Sequence, residues 1–218
     1  MRALVIAGLI FAAFANVSQA AERSSGSGYN WSGFYVGAHV GRAWGEAGNS
    51  WRNISAGYPN WGPDGDISYS STTGGLHAGY LWQHSWLAYG IEGDFSWASL
   101  KGDDSQFAGY VNALEINYIG TIRARAGVAY GRSLVYATGG IAFSSIEKKD
   151  LTNGRSVSND LVGWTLGGGY ELALGKGLRG RIEYQYVDFG SVVSALDYDH
   201  RADGLSVHSV RGGLSYAF

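Results

Sequence analysis

The stretch L-R-G-R-I-E-Y-Q-Y, residues 178–186, decides the fold. Successive side chains of a strand point to opposite faces. One face therefore carries Leu178, Gly180, Ile182, Tyr184 and Tyr186, and the other Arg179, Arg181, Glu183 and Gln185. A soluble sandwich would bury the first face and leave the second in water, so this stretch alone leaves two architectures open. The same two-faced pattern recurs in eight segments, and no helical pattern covers either face. That recurrence predicts an all-β fold: an eight-stranded antiparallel up-and-down transmembrane β-barrel, apolar toward lipid and polar toward the lumen.

Composition agrees. A chain of 218 residues suffices for one domain, and a net charge of −2 gives no reason to expect nucleic acid as a partner. The absence of Cys excludes disulfides, thiolate metal sites and a lipidated N-terminal Cys. The excess of Gly suits strands that bend, and the Trp and Tyr excess suits aromatics at a membrane interface.

Residues 1–20 read as a signal peptide: Arg2 is the positive end, 3–15 an apolar run, and Ser18-Gln19-Ala20 a small-residue cleavage site. A transmembrane helix needs about 20 apolar residues, and this run is too short. Cleavage near Ala20 leaves 21–31 as a periplasmic N-terminal linker and 32–218 as the barrel. Strands are expected over 33–45, a hairpin over 73–99 turning at 83–86, then 113–128, 133–144, 161–174, a strand opening at 178, and 205–218. The connection 46–72 reads as a long loop holding both prolines, Pro59 and Pro63, which keeps Pro out of every expected strand. Short connections follow even-numbered strands and long ones follow odd-numbered strands, as periplasmic turns and external loops alternate in membrane barrels.

Parity sends Glu92, Asp94, Glu115, Glu171 and Glu183 inward, together with Arg123, Arg125, Arg179, Arg181 and Arg211. Guanidinium groups pair bidentately with carboxylates in confined space. An eight-stranded barrel is just wide enough for side chains to fill, so these charges should neutralise one another rather than line a wide pore. Centring the turn on Lys176 sets Glu171 opposite Arg181. Centring the earlier turn between His84 and Ser85 sets His77 opposite Glu92.

The segments W-S-G-F-Y-V-G-A-H-V-G (31–41), G-I-E-G-D-F-S-W (90–97) and R-G-G-L-S-Y-A-F (211–218) resemble porin-family barrels of alphaproteobacteria, often called outer-membrane immunogenic proteins. More distantly, R-I-E-Y-Q-Y (181–186) and G-Y-E-L-A (169–173) look like the eight-stranded OmpA-type transmembrane domain. The OmpA-type resemblance implies a lumen charge cluster that acts as a gate, with Glu92 and Arg181 at matching positions and Arg125 where that cluster has Lys. Phe218, Tyr216 and Leu214 resemble the C-terminal signal read by the barrel-assembly machinery.

His39 and His77 lie on inner faces of neighbouring strands, and some members of the resembled family are described as haemin-binding. Two His without a third ligand make a poor metal site, so ordinary lumen hydrogen bonding is the expectation and no cofactor is assigned. A hydrolase group of Ser206 or Ser209 with His200 or His208 does not converge, because parity puts His208 outward and Ser209 inward. The expected function is that of a non-enzymatic barrel of the Gram-negative outer membrane, with a structural and surface-exposed role and at most weak passage of small solutes. The alternative is a porin or a haemin-binding uptake receptor. Expected partners are outer-membrane lipids and lipopolysaccharide, the assembly machinery, and host or phage ligands at the external loops.

Overall fold

The computed structural model of the chain describes residues 28–53, 58–103, 112–150, 155–190, 192–195 and 199–218, with side chains described over 28–46, 68–98, 117–145, 160–190 and 204–218. The expected signal peptide, most of the expected linker, and the side chains of Glu115 and His200 lie outside the described residues.

Nine strands form: β1 Gly33–Asn53, β2 Tyr58–His84, β3 Leu87–Asp103, β4 Asn112–Tyr130, β5 Ser133–Asp150, β6 Arg155–Gly175, β7 Leu178–Asp188, β8 Val192–Ala195 and β9 Asp199–Ala217. β1 to β7 pair in sequence, β7 pairs with β9, and β9 pairs back to β1. The result is a closed antiparallel barrel of eight strands. β8 pairs with residues 199–202 of β9 and is not part of the closed ring.

The period-two pattern holds around the wall. Ile182, Ile122, Leu166 and Leu214 are exposed on the outside, while Arg181, Arg123, Thr165 and Ser215 are buried inside. Closure leaves no edge within the ring, which is how a β-sheet satisfies its backbone groups in lipid. The turns at Ser85–Trp86, Gly131–Arg132 and Lys176–Gly177 mark one rim. Lys176 and Gly177 both take positive φ, 51° and 81°, as a two-residue turn matched to strand twist requires. In bacterial outer-membrane barrels the short-turn rim faces the periplasm.

Three expectations need correction. The connection 46–72 is mostly strand: β1 and β2 stay paired from Gly48↔Asp66 out to Asn53↔Tyr58, so Pro59 and Pro63 fall inside β2. They sit near the hairpin tip, where the register shifts beside Ser50 and Trp51 interrupt the ladder and a missing N–H costs little. The expected loop after β7 likewise contains β8. The β2–β3 register is displaced by two residues, His77 standing opposite Asp94 and Glu92 opposite Gly79, because the turn centres on Ser85–Trp86. A two-residue shift preserves facing, so the lumen set is unchanged. Glu171 does stand opposite Arg181.

Facing is testable on β4, where Ala124 is exposed between buried Arg123 and Arg125. Ala124 lies midway between Tyr118 and Tyr130, near the centre of the apolar band. Ala124→Arg should cost about 2–4 kcal/mol in urea titrations of the bilayer-embedded barrel. An unchanged midpoint would mean that this wall does not face lipid.

Candidate functional site

The lumen is filled in three layers. At the outer end Ala43, Tyr69, Ile119, Leu161, Val187, Leu205 and Val207 belong to one apolar cluster. At the short-turn end Trp31, Tyr35, Leu81, Leu134 and Tyr136 belong to a second. Between them lies the charged layer built by the inward positions of β3, β4, β6, β7 and β9.

Two carboxylates are its hubs. Glu92 pairs with Arg123, accepts from Arg181 Nη1 at 2.6 Å, and lies 3.4 Å from Arg125 Nη1. The Tyr35 hydroxyl donates to its Oε2 at 2.7 Å. Glu183 accepts from Arg211 Nη2 at 2.6 Å, from Arg123 Nη1 at 2.8 Å and from the Tyr136 hydroxyl at 2.7 Å. Asp94 bridges the two, 2.9 Å from Arg123 Nη2 and 3.1 Å from Arg211 Nη1. Glu171 pairs with Arg125, whose guanidinium lies 3.6 Å above the Tyr136 ring. The bulk of these tyrosines needs space across the sheet. A Cβ at Gly79 would come within 2.5 Å of the Tyr35 hydroxyl, and one at Gly169 within 2.6 Å of the Tyr136 hydroxyl.

Apart from Arg179, every described lumen charge singled out above is thus in one network, and Glu92 meets Arg181 as the OmpA-type geometry implies. Glu171 and Arg181, though opposite in register, are not partners: Arg181 reaches Glu92 across the lumen and Glu171 takes Arg125. Among the described lumen side chains four carboxylates face five guanidiniums, leaving one positive charge. Arg179 carries the surplus. Its Nη1 is 4.0 Å from Glu171 Oε1, and neither atom has a hydrogen-bond partner.

Arg179 is held instead by the residues ahead of β1. Its guanidinium carbon lies 4.9 Å from the Trp31 ring centre and 5.2 Å from that of Tyr29, and it donates to the Trp31 carbonyl and the Tyr29 hydroxyl. Trp31 is fully buried. The Trp31 backbone N–H donates to Gln83 Oε1 at 2.7 Å, and the Gln83 backbone N–H donates to the Ser32 hydroxyl at 3.0 Å. These residues, expected in a linker, close the short-turn mouth. Sequence reasoning missed them because the Ser/Gly run before Tyr29 masks them; the signal was the aromatic pair Tyr29 and Trp31 directly ahead of β1.

His39 and His77 are buried side by side, with Nδ1 atoms 3.5 Å apart and rings stacked at 5.7 Å. His39 Nε2 is 2.8 Å from the Ser96 hydroxyl. Among the described residues no group of three or more His, Asp or Glu side chains is placed to hold a metal. His208 points outward, 2.6 Å from the Tyr184 hydroxyl, while Ser209 is buried on the inner face. Phe218, Tyr216 and Leu214 are exposed on the lipid face, and the Phe218 N–H donates to the Phe34 carbonyl across the closing seam.

Residues 7–218 match the outer membrane protein beta-barrel domain. The 25 kDa outer-membrane immunogenic protein of Brucella abortus is 31% identical over 193 residues, covering 87% of this chain and 80% of that protein. The 22 kDa outer membrane protein of Rhizobium leguminosarum is 30% identical over 190 residues, 87% of this chain and 79% of that one. In structure the chain is similar to the outer membrane protein OprG of Pseudomonas aeruginosa, with a TM-score of 0.61, 13% identity, and coverage of 88% and 99%.

Proposed function

The chain belongs to the outer membrane protein beta-barrel domain family and resides in the outer membrane; from that premise we propose a structural, surface-presenting barrel with a closed interior. The supporting observation is the layering of the lumen. Charges that would line a pore are consumed by one another between two apolar layers. The void beside this network, lined in part by Ser96, Gln185 and Arg211, measures about 20 Å³. That is the space of roughly one water molecule. Solute passage would require breaking several charge-assisted hydrogen bonds at once, each about twice as strong as a neutral one.

Refolded mature protein in planar bilayers should show no stable single-channel steps at physiological salt. Reproducible open levels would favour the porin reading instead. No enzymatic role is assigned: the Ser96–His39 contact is sealed in the lumen, and His39 turns its other nitrogen to His77 rather than to a carboxylate.

The exposed terminal aromatic and its partners Tyr216 and Leu214 serve as the assembly signal in this reading. Deleting Phe218 should leave unfolded protein in the periplasm, seen as loss of the heat-modifiable band. Wild-type levels of folded barrel would remove that role.

A further inference from the structure

The outer wall of β2, β1 and β9 changes character row by row toward the outer rim. Val40 faces lipid between Gly74 and Gly212, and the next row outward holds Thr72, Arg42 and Val210. Beyond it come Ser70, Trp44 and His208, then Ser68, Glu46 and Ser206. Arg42 is the only exposed cation in these wall rows among the described residues, and it donates to the Ser70 hydroxyl at 3.4 Å. A guanidinium one row inside the aromatic belt is costly unless an anion of the head-group layer meets it.

Above Arg42 lies a depression of about 390 Å³, with Trp44, Glu46, Ser68, Ser70 and His208 in its lining. Trp44 stacks on His208 at an interplanar angle of 14° and remains 39% exposed. An aromatic face ringed by hydroxyls and a carboxylate suits a sugar, whose C–H face packs on the ring while its polar groups bond to the rim. On the membrane side, a groove of about 800 Å³ runs over Ala38, Ala78 and Gly93, walled by Leu76, Phe95 and Phe143. It is apolar and sized for an acyl chain.

We propose that these features form one site for an outer-leaflet glycolipid. A phosphate sits on Arg42 and Ser70, its amino sugar on Trp44, Glu46 and His208, and one acyl chain in the Ala38–Ala78–Gly93 groove. The order of charges fixes the orientation. Arg42 and Glu46 are four residues apart along β1, roughly 13 Å, so the phosphate lies membrane-side of the sugar hydroxyls that donate to Glu46.

Native mass spectrometry of the refolded barrel in micelles tests this with three probes: lipid A, its dephosphorylated form, and phosphatidylglycerol. Lipid A should be retained as a single adduct at least about tenfold better than either other lipid, consistent with a charge-assisted contact. Glucosamine phosphate without acyl chains should bind weakly at the same site. Arg42→Ala and Trp44→Ala should each lower retention about tenfold. Gly93→Phe should also lower it by filling the groove; the added Cβ meets nothing nearer than 3.8 Å, and an unchanged heat-modifiable band checks that the variant folds. Equal retention of phosphatidylglycerol would mean ordinary boundary lipid and overturn the proposal. Unchanged retention in folded Arg42→Ala would overturn it as well.

Discussion

Replacing Glu92 with Gln is expected to lower the stability of the barrel by about 3–5 kcal/mol, read from urea titration in lipid vesicles. The carboxylate is buried against Arg123, Arg125 and Arg181, and Tyr35 donates to it. Removing its charge leaves three guanidiniums competing for Asp94, Glu171 and Glu183, in a layer already one positive charge in surplus. Adding Arg181→Ala should recover part of the loss but not all of it, because Arg123 and Arg125 still face the vacated site. The double-mutant cycle should therefore show coupling of the order of 1–3 kcal/mol. Simple additivity would mean that Glu92 and Arg181 are not partners. Conductance of the single variant should stay at baseline, since the apolar layer around Leu205 and Val207 is untouched. An anion-selective current would show that the charged layer alone holds the lumen shut.

The facing of the wall was legible in the sequence because it depends on a single local quantity, the two-residue period. Arg123, Ala124 and Arg125 alternate as written, and Glu171 faces Arg181 because Gly175-Lys176-Gly177 admits one tight turn. The hairpin at Ser85–Trp86 lacks such a signal. No glycine pins its positive φ, which falls on Ser85 at 57°, and centring it one residue early, which moves the pairing by two, was equally consistent with parity. Partnership within the lumen was less legible. Arg123 of β4 meets Glu183 of β7, and Arg211 of β9 meets Asp94 of β3. Those strands are not neighbours, so the pairing depends on barrel closure and strand tilt, which no local pattern encodes. Strand length was underestimated for a related reason. Hairpins that project beyond the membrane face water on both sides and lose the apolar alternation that reveals a strand.

The second large effect is expected at Trp31. Trp31→Ala should cost about 3–5 kcal/mol, the usual range for truncating a buried aromatic. Part of that loss is packing against Tyr29, whose ring meets Trp31 edge-on at 5.0 Å. The rest comes from Arg179, which loses an aromatic face and, with the segment freed, its bonds to the Trp31 carbonyl and Tyr29 hydroxyl. A buried guanidinium whose Nη1 is already without a hydrogen bond then draws water in from the short-turn side. The wild-type chain has no Cys, so one introduced thiol reports that entry cleanly. Ser215 is suited to it, being buried on the lumen face directly opposite Arg179. In Ser215→Cys alone a membrane-impermeant maleimide should react slowly from the periplasmic side. In combination with Trp31→Ala the reaction should accelerate at least about tenfold, as expected if the covering segment opens with a free-energy change of ~1.4 kcal/mol or more. Conductance should remain absent, because the outer apolar layer still closes the far end. Fast labelling in the single variant would mean that Trp31 does not seal the mouth. Equal labelling with a stability loss under about 1 kcal/mol would reduce the segment to a loosely packed tail.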